Sequence, residues 1–532
     1  MSYLLHQLLR ASAAAHPESD AVRLVDDAIT YRDLETQSNQ LAHALIAAGV
    51  APGDRVGIYL KKSPRAIVSI FGILKTGACY VPVDANAPGA RLVEIARQCA
   101  FRALVTSASL YGKIEDGLKE ECKDAALFFV DELPKDAHSS GYQSFSEVLL
   151  QCPKDSPVVD VIGHDLAYIL FTSGSTGTPK GVMLSHLNAL TFVNWAAETF
   201  GITSSDRLSQ HAPFNFDLSV FDIFVAVKAG AAICLVPEGL AVFPLQLSAF
   251  IQKQKITVWY SVPMVLMLLL GRGKLDEGDF SSLRIILFAG EVFPTKHLRA
   301  LMEKLTHPRY ANLYGPTETN VCAYYEVAPL SPEATAPIPI GKACANTELI
   351  AIDEAGERVS GPGREGLLYA RGSTVMQGYY GRPENTRAAF SPNPFAVGRE
   401  ENLYCTGDWV TLDEDGNYLF VGRKDHMIKT RGYRVELGEI EAIMVTHPAV
   451  DEAVALAIPD EAVGNTIQAV VTLAGDSSLE VAELKRHCAE KLPAYMVPEK
   501  IDFAATLPRT DNGKIDRRRL QSERVPSGTS AD

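Results

Sequence analysis

Short runs of β-branched and aliphatic residues, each closed by glycine or proline and followed by a helix-like stretch, recur along most of this chain. LAYILF (166–171), AAICLV (231–236) and RIILFAGE (284–291) are three of them. Parallel strands need a long crossover between them, usually a helix, so this rhythm predicts an α/β fold of parallel-type sheets flanked by helices. The pattern then changes twice. From about 339 to 421, short strands alternate with turns such as DEAG, PGREG and DEDGN, which predicts a β-rich subdomain packed behind the sheets. After Gly422 a new unit opens with GRKDHMIKTRGYRVELGEIE, continues through the strand-like AVALAI and AVVTLA, and carries an amphipathic helix near 479–492. The expected division is a core over 1–424, a small mobile α+β lobe over 425–520, and a polar, small-residue tail over 521–532 that reads as disordered. The apolar stretch 258–270 reads as a buried helix, since it falls well short of the ~20 residues that a membrane span needs.

Composition excludes several classes. With 47% apolar and 21% charged residues among 532, the chain has a globular balance and enough length for several cores. Its net charge of −14 opposes general binding to nucleic acid or anionic lipid, and the basic cluster Lys514, Arg517, Arg518 and Arg519 has no aromatic companions for stacking on bases. The nine cysteines are scattered singly, with no C-x-x-C pair, and read as reduced thiols of a cytoplasmic protein. His6 and Arg10 interrupt the apolar start MSYLLHQLLRASAAA, which reads against a signal peptide.

The first chemical signal is FTSGSTGTPKG (171–181), which follows a predicted strand. Its glycines allow close approach of the backbone to phosphates, and its amides, hydroxyls and Lys180 would neutralise a triphosphate. It is not a Walker A loop, because Pro179 precedes the lysine and Gly181 follows it.

Nine further motifs lie in order around this loop: ITYRDL (29–34), LKTGACYVPVD (74–84), FNFDLSVFD (214–222), NLYGPTETNVCA (312–323), MQGYYGRPENT (376–386), YCTGDWV (404–410), GRKDHMIKTRGYRVELGEIE (422–441), LPAYMVP (492–498) and LPRTDNGKIDRR (507–518). Together they resemble the adenylate-forming superfamily of acyl-CoA synthetases, luciferases and nonribosomal peptide synthetase adenylation domains, over nearly the whole chain. The resemblance implies ATP and Mg²⁺ as cofactors, and roles position by position. Thr172, Ser173, Gly174, Ser175, Thr176, Gly177 and Lys180 would hold phosphates. Tyr314, beside Gly315, would stack on adenine, with Asn312, Gly290 and Glu291 near the base edge. Thr317 would bond the α-phosphate, Glu318 would ligate Mg²⁺, and Asp408 with Arg423 would hold the ribose. Lys514 would be catalytic, bridging two anions that otherwise repel. Asp425 would be the hinge about which the small lobe turns, bringing Lys429, Gly432 and Arg434 to a thiol channel.

Asp217 separates amino-acid substrates from fatty or aryl acids, since a carboxylate in an apolar pocket calls for a cation and an α-ammonium supplies one. By the same resemblance the pocket is Asp217, Leu218, Phe221, Tyr260, Leu287, Ala289, Leu313, Val321, Cys322 and Lys514. Apolar between two charged ends and crowded by Phe221, Tyr260 and Leu313, it suits a small neutral amino acid. The set is similar to that of free-standing L-prolyl carrier-protein ligases of pyrrole- and anatoxin-type pathways, which implies L-proline. Only about a dozen residues follow Arg519 and none carries a phosphopantetheine-serine motif, so the acceptor is expected to be a separate carrier protein. Another small neutral amino acid, a carboxylic acid–CoA ligase, and a dead nucleotide-binding scaffold remain the competing readings.

Overall fold

The computed structural model describes residues 2–133, 142–174, 178–423, 427–460, 463–475, 477–509 and 515–524. Ser175, Thr176, Gly177, Asp425 and Lys514 therefore lie outside the described residues, as do 525–532 of the expected tail.

Two units emerge. The first comprises Met1–Ala85, Val93–Phe171 and Gly181–Gly422. It holds a nine-stranded sheet whose six successive strands from Arg309–Tyr314 through Ile285–Ala289, Val258–Ser261, Arg207–Gln210 and Ala232–Leu235 to Asp20–Leu24 are parallel, with antiparallel strands at both edges. An eight-stranded sheet centres on the parallel strands Leu166–Thr172, Cys79–Pro82, Arg55–Tyr59 and Ala103–Thr106. The β-rich region forms a five-stranded sheet around Asn402–Leu412. One contiguous core, containing Val22, Ile58, Tyr80, Tyr168, Leu208, Tyr260 and Leu313, draws on both large sheets.

Local chemistry explains the elements. Helix Pro64–Lys75 starts from the Ser63 cap with proline in its first turn, and all its residues but Arg65 are buried. Buried Lys75 is satisfied by Glu35 (2.7 Å), Ser38 (2.8 Å) and Asn39 (2.6 Å) on helix Tyr31–Ala47. The expectation of one buried helix over 258–270 is corrected: strand Val258–Ser261 comes first, and helix Pro263–Arg272 begins only at Pro263. β-Branched and aromatic residues favour the strand, and the proline holds Val262 extended (ψ 152°), so a helix cannot start earlier.

The second unit comprises Asn86–Leu92, Thr172–Lys180 and Arg423–Asp532. Hairpin Met427–Thr430/Tyr433–Glu436 and a three-stranded sheet, Val450–Asp460, Gly464–Leu473 and Lys500–Phe503, pack with helices Leu437–Val445 and Val481–Ala489 over Val435, Ile440, Leu484 and Met496. Arg517 of the basic cluster pairs with Glu441, and helix Arg517–Ser522 runs into the segment expected to be tail.

Fully buried His186 accepts a hydrogen bond at Nδ1 from the Leu5 amide (3.1 Å), and burial pushes its pKa down to about 4. His6, 6.0 Å away edge-on, is pushed to about 3, chiefly by burial and then by His186. Above the ordinary imidazole value, folded and unfolded chains are both neutral and this contribution is fully present. As pH falls through it, the unfolded chain takes up protons that the folded chain refuses, and stability is lost until the pKa of the folded form is reached. Each such histidine contributes up to ~1.4 kcal/mol per pH unit. Thermal midpoints should therefore decline between about pH 6.5 and 4, and His186→Gln, which keeps an acceptor for Leu5, should flatten that decline. A variant with an unchanged slope would contradict this origin.

Candidate active site

Strands Val258–Ser261, Ile285–Ala289 and Arg309–Tyr314 pair with Tyr260 opposite Leu287, Leu287 opposite Ala311 and Ala289 opposite Leu313. Side chains alternate across a strand, so Tyr260, Leu287, Ala289 and Leu313 share one face, while Trp259, Ile286 and Phe288 join a separate core on the other. The first four sit toward the carboxyl ends of parallel strands, where sheets of this kind leave room for ligands.

Asp217, half-buried, precedes a short helix, Leu218–Val220, that continues as a π turn over Phe221–Val225 before closing as Ala226–Ala229. A π turn inserts one residue per turn and redirects the side chains that follow it. Here Phe221 meets Tyr260 edge-on at 5.3 Å and Phe200 at 6.1 Å. Phe221, Tyr260, Leu287, Ala289, Leu313 and Val321 belong to one core, with Leu218 packed against it. Cys322 departs from this set and packs with Tyr314 and Ala323 instead. The Asp217 charge reaches two buried hydroxyls, Tyr168 and Tyr260, whose pKa values are raised first by burial and then by that charge or, for Tyr168, against the pull of Asn320.

The residues expected to hold the nucleotide begin at the end of Arg309–Tyr314. Tyr314 donates its hydroxyl to the Asp408 carboxylate, and both are buried. Asp408 is aimed by an irregularity in the long strand: pairing shifts between Leu367/Trp409 and Tyr369/Cys405, with Gly407 at φ 79° taking up the bend. Thr406 holds this bulge, donating to the Leu368 carbonyl (2.8 Å) and accepting from the Asp408 amide (3.1 Å). Asn312 spends its amide on the Pro339 carbonyl (2.8 Å), and Gly290 and Glu291 directly follow strand Ile285–Ala289.

After Tyr314 the chain reverses so tightly that a Cβ on Gly315 would stand 1.7 Å from the Asn320 carbonyl oxygen. The Cys322 amide closes the loop on the Tyr314 carbonyl (2.8 Å). Thr317 is half-buried within it, and Glu318 is fully buried, its carboxylate accepting from the Tyr379 hydroxyl at 2.7 Å and its carbonyl from the Met376 amide at 2.7 Å. Among the described residues no three-ligand cluster for a metal exists. A lone buried carboxylate is the donor set of Mg²⁺ carried on phosphates, so the site fits an ion that arrives with a nucleotide. Tyr379 escaped the sequence reading as a site residue, although MQGYY was singled out as a motif.

In the second unit, Ser173 donates to the Arg434 carbonyl (2.9 Å) and accepts from the Glu436 amide (3.1 Å). The Gly174 amide donates to Glu439 (3.1 Å), a fully buried carboxylate also paired with Arg91. Burial raises the Glu439 pKa against the pull of Arg91, Gly174 and Lys180. An amide of the expected phosphate loop thus holds an anion already, and the anion is a side chain.

The AMP-binding enzyme family matches residues 9–380, and the AMP-binding enzyme C-terminal domain matches residues 439–514. The chain is 41% identical to an L-proline (L-prolyl-carrier protein) ligase of Pseudomonas fluorescens, over 97% of this chain and 98% of that one. A ligase of the same name from Streptomyces coelicolor is 38% identical over 98% and 96%. The fold is shared with the amide bond synthetase McbA from Marinactinospora thermotolerans, with a TM-score of 0.85 at 24% identity over 97% and 99% of the two chains.

Tyr314→Phe keeps the ring and removes the donor to Asp408. A hydrogen bond to a charged group contributes ~1.5 to 3 kcal/mol and this one exists without ligand, so the thermal midpoint should fall, and nucleotide affinity should fall roughly tenfold or more as Asp408 loses the partner that orients it. Calorimetric titration with AMP measures this, and unchanged affinity would separate Tyr314 and Asp408 from nucleotide binding.

Proposed function

The chain belongs to the AMP-binding enzyme family, and from that premise we propose that it activates L-proline with ATP, giving prolyl-AMP and pyrophosphate, and then passes the prolyl group to the phosphopantetheine thiol of a separate carrier protein. The observation that carries this is the amino-acid pocket: a half-buried Asp217 beside an apolar enclosure of Phe221, Tyr260, Leu287, Ala289 and Leu313. The names of the two full-length relatives support proline and a carrier protein as its partners.

The chemistry follows from charge. The proline carboxylate oxygen attacks the α-phosphorus, the bond to the bridging oxygen breaks, and pyrophosphate leaves. Two anions must meet, so Lys514 is assigned between carboxylate and phosphate, with Thr317 on the α-phosphate. Mg²⁺ held by Glu318 would offset triphosphate charge. Tyr314, Asp408 and Arg423 orient the nucleoside, and Asp217 orients the amine, so that most of the rate comes from positioning. The carrier thiolate then attacks the activated carbonyl and AMP leaves with the bonding electrons. Both steps use one site in turn, and the proposal includes a turn of the C-terminal lobe about Asp425 between them. A cytoplasmic place in anatoxin-type secondary metabolism is part of the same reading, supported by nine free thiols and by the pocket composition.

Amino-acid-dependent exchange of pyrophosphate into ATP, run across the common amino acids, tests the reading. Proline should give the highest rate. Asp217→Asn removes the counter-charge at constant size and should cost ~2 to 5 kcal/mol for every amino acid. Cyclopentanecarboxylate, which lacks the amine, should be rejected. Lys514→Ala should abolish exchange while AMP still binds, because the lysine acts on charge that develops in the transition state. Exchange with cyclopentanecarboxylate equal to that with proline would remove the amino-acid assignment.

A further inference from the structure

Two buried polar groups that the specificity positions leave unexplained adjoin the core formed by Phe221, Tyr260 and Val321. Tyr168, on strand Leu166–Thr172 of the eight-stranded sheet, is fully buried, its ring 5.3 Å from that of Tyr80. Asn320, 5% exposed, immediately precedes pocket residue Val321. Among the described residues neither the Tyr168 hydroxyl nor the Asn320 Nδ2 has a hydrogen-bond partner of full geometry, although the two groups are neighbours and the Asp217 charge acts on that hydroxyl.

The local geometry fixes which end of Asn320 is turned outward. Asn320 stands at φ 53°, a left-handed conformation that asparagine tolerates better than other side chains by bonding to nearby backbone, so its place and orientation are set by the turn. That side chain is also fixed, since its Oδ1 accepts the Val321 amide at 2.8 Å, which leaves Nδ2 as the end turned toward other groups. Enclosed polar atoms without partners are costly, and in a ligand pocket the missing partner is the ligand.

We propose that Tyr168 and Asn320 complete the amine end of the pocket: the Tyr168 hydroxyl accepts one N–H of the substrate ammonium, Asp217 takes the other, and the Asn320 carboxamide holds the hydroxyl in place. The ammonium of proline has two N–H bonds pointing in divergent directions, and a carboxylate on one side is best placed for one of them. This assignment rests on the proline reading and deepens it. Tyr168 then belongs to the substrate contacts of the site, while Asn320 is a positioning residue.

The test pairs protein and substrate. N-methylproline keeps one N–H and lacks the other, so proline and N-methylproline are compared on wild type and Tyr168→Phe. The analogue is measured by its competition with proline, so that slow turnover does not matter. Tyr168→Phe should lower kcat/KM for proline about tenfold or more, through KM, leaving the KM for ATP and the thermal midpoint unchanged. The affinity for N-methylproline should change by less than about threefold. Asn320→Gly keeps the left-handed backbone and should raise the proline KM severalfold, with no added loss in the double variant, because both act through one hydroxyl. Equal losses for proline and N-methylproline, or a loss that falls on ATP, would overturn the proposal. A wild type that does not exchange with proline at all would remove the proline reading itself.

Discussion

The reversal of the chain at Gly315 is the constraint on which the rest of the site depends. Any side chain there would collide with the Asn320 carbonyl at 1.7 Å, and no rotamer avoids a clash made by Cβ itself. Because the turn closes, the strand ending at Tyr314 returns as Ala323–Val327, antiparallel to itself, with Tyr314 directly opposite Ala323. The residues between are delivered to different tasks within one loop. Tyr314 meets Asp408, Glu318 meets Tyr379, Asn320 stands beside Tyr168, and Val321 enters the core that contains Phe221 and Tyr260. Loosening this turn would move Tyr314, Glu318, Asn320 and Val321 together, because all four are carried by the one short loop.

Buried carboxylates dominate the electrostatics, as a chain of net charge −14 that handles anionic substrates requires explicit management of charge. Glu318 and Asp408 are each met by a tyrosine hydroxyl, and Glu439 by Arg91 and a backbone amide. A hydroxyl donor stabilises an anion without cancelling its charge, as at Glu318 and Asp408, whereas at Glu439 the Arg91 guanidinium offsets the charge itself. Asp222, inside the π turn, differs: it is fully buried, and burial raises its pKa well above the carboxylate range against the pull of Lys62.

The fold by itself says little about which acid is activated. The same architecture, at a TM-score of 0.85, serves an amide bond synthetase at 24% identity. What distinguishes one member of such a fold from another lies in a handful of side chains on a common scaffold, and in the proposed reading those here are Asp217 and the rings packed near it. In the second unit the Gly174 amide bonded to Glu439 makes the same point, since a loop whose composition suits phosphate is equally suited to a carboxylate.

The sequence by itself determined the parallel sheets, the β-rich insertion and the later α+β unit, and it singled out Asp217, Tyr314, Glu318 and Asp408 as site candidates, because strand periodicity and motif order are properties of neighbours along the chain. It misread 258–270 as one helix, since apolar runs carry no period that separates a strand followed by a helix from a helix alone, and the decisive signal was Pro263. Tertiary structure alone decided the rest. The π turn that redirects Phe221, the packing of Cys322 with Tyr314, the Tyr379 hydroxyl on Glu318 and the convergence of Tyr168 with Asn320 all join residues distant in sequence or depend on an extra residue in a helical turn. Tyr168 lies 152 positions before Asn320, on a strand of the other large sheet, and only the packing of those sheets over one shared core brings the two side chains together.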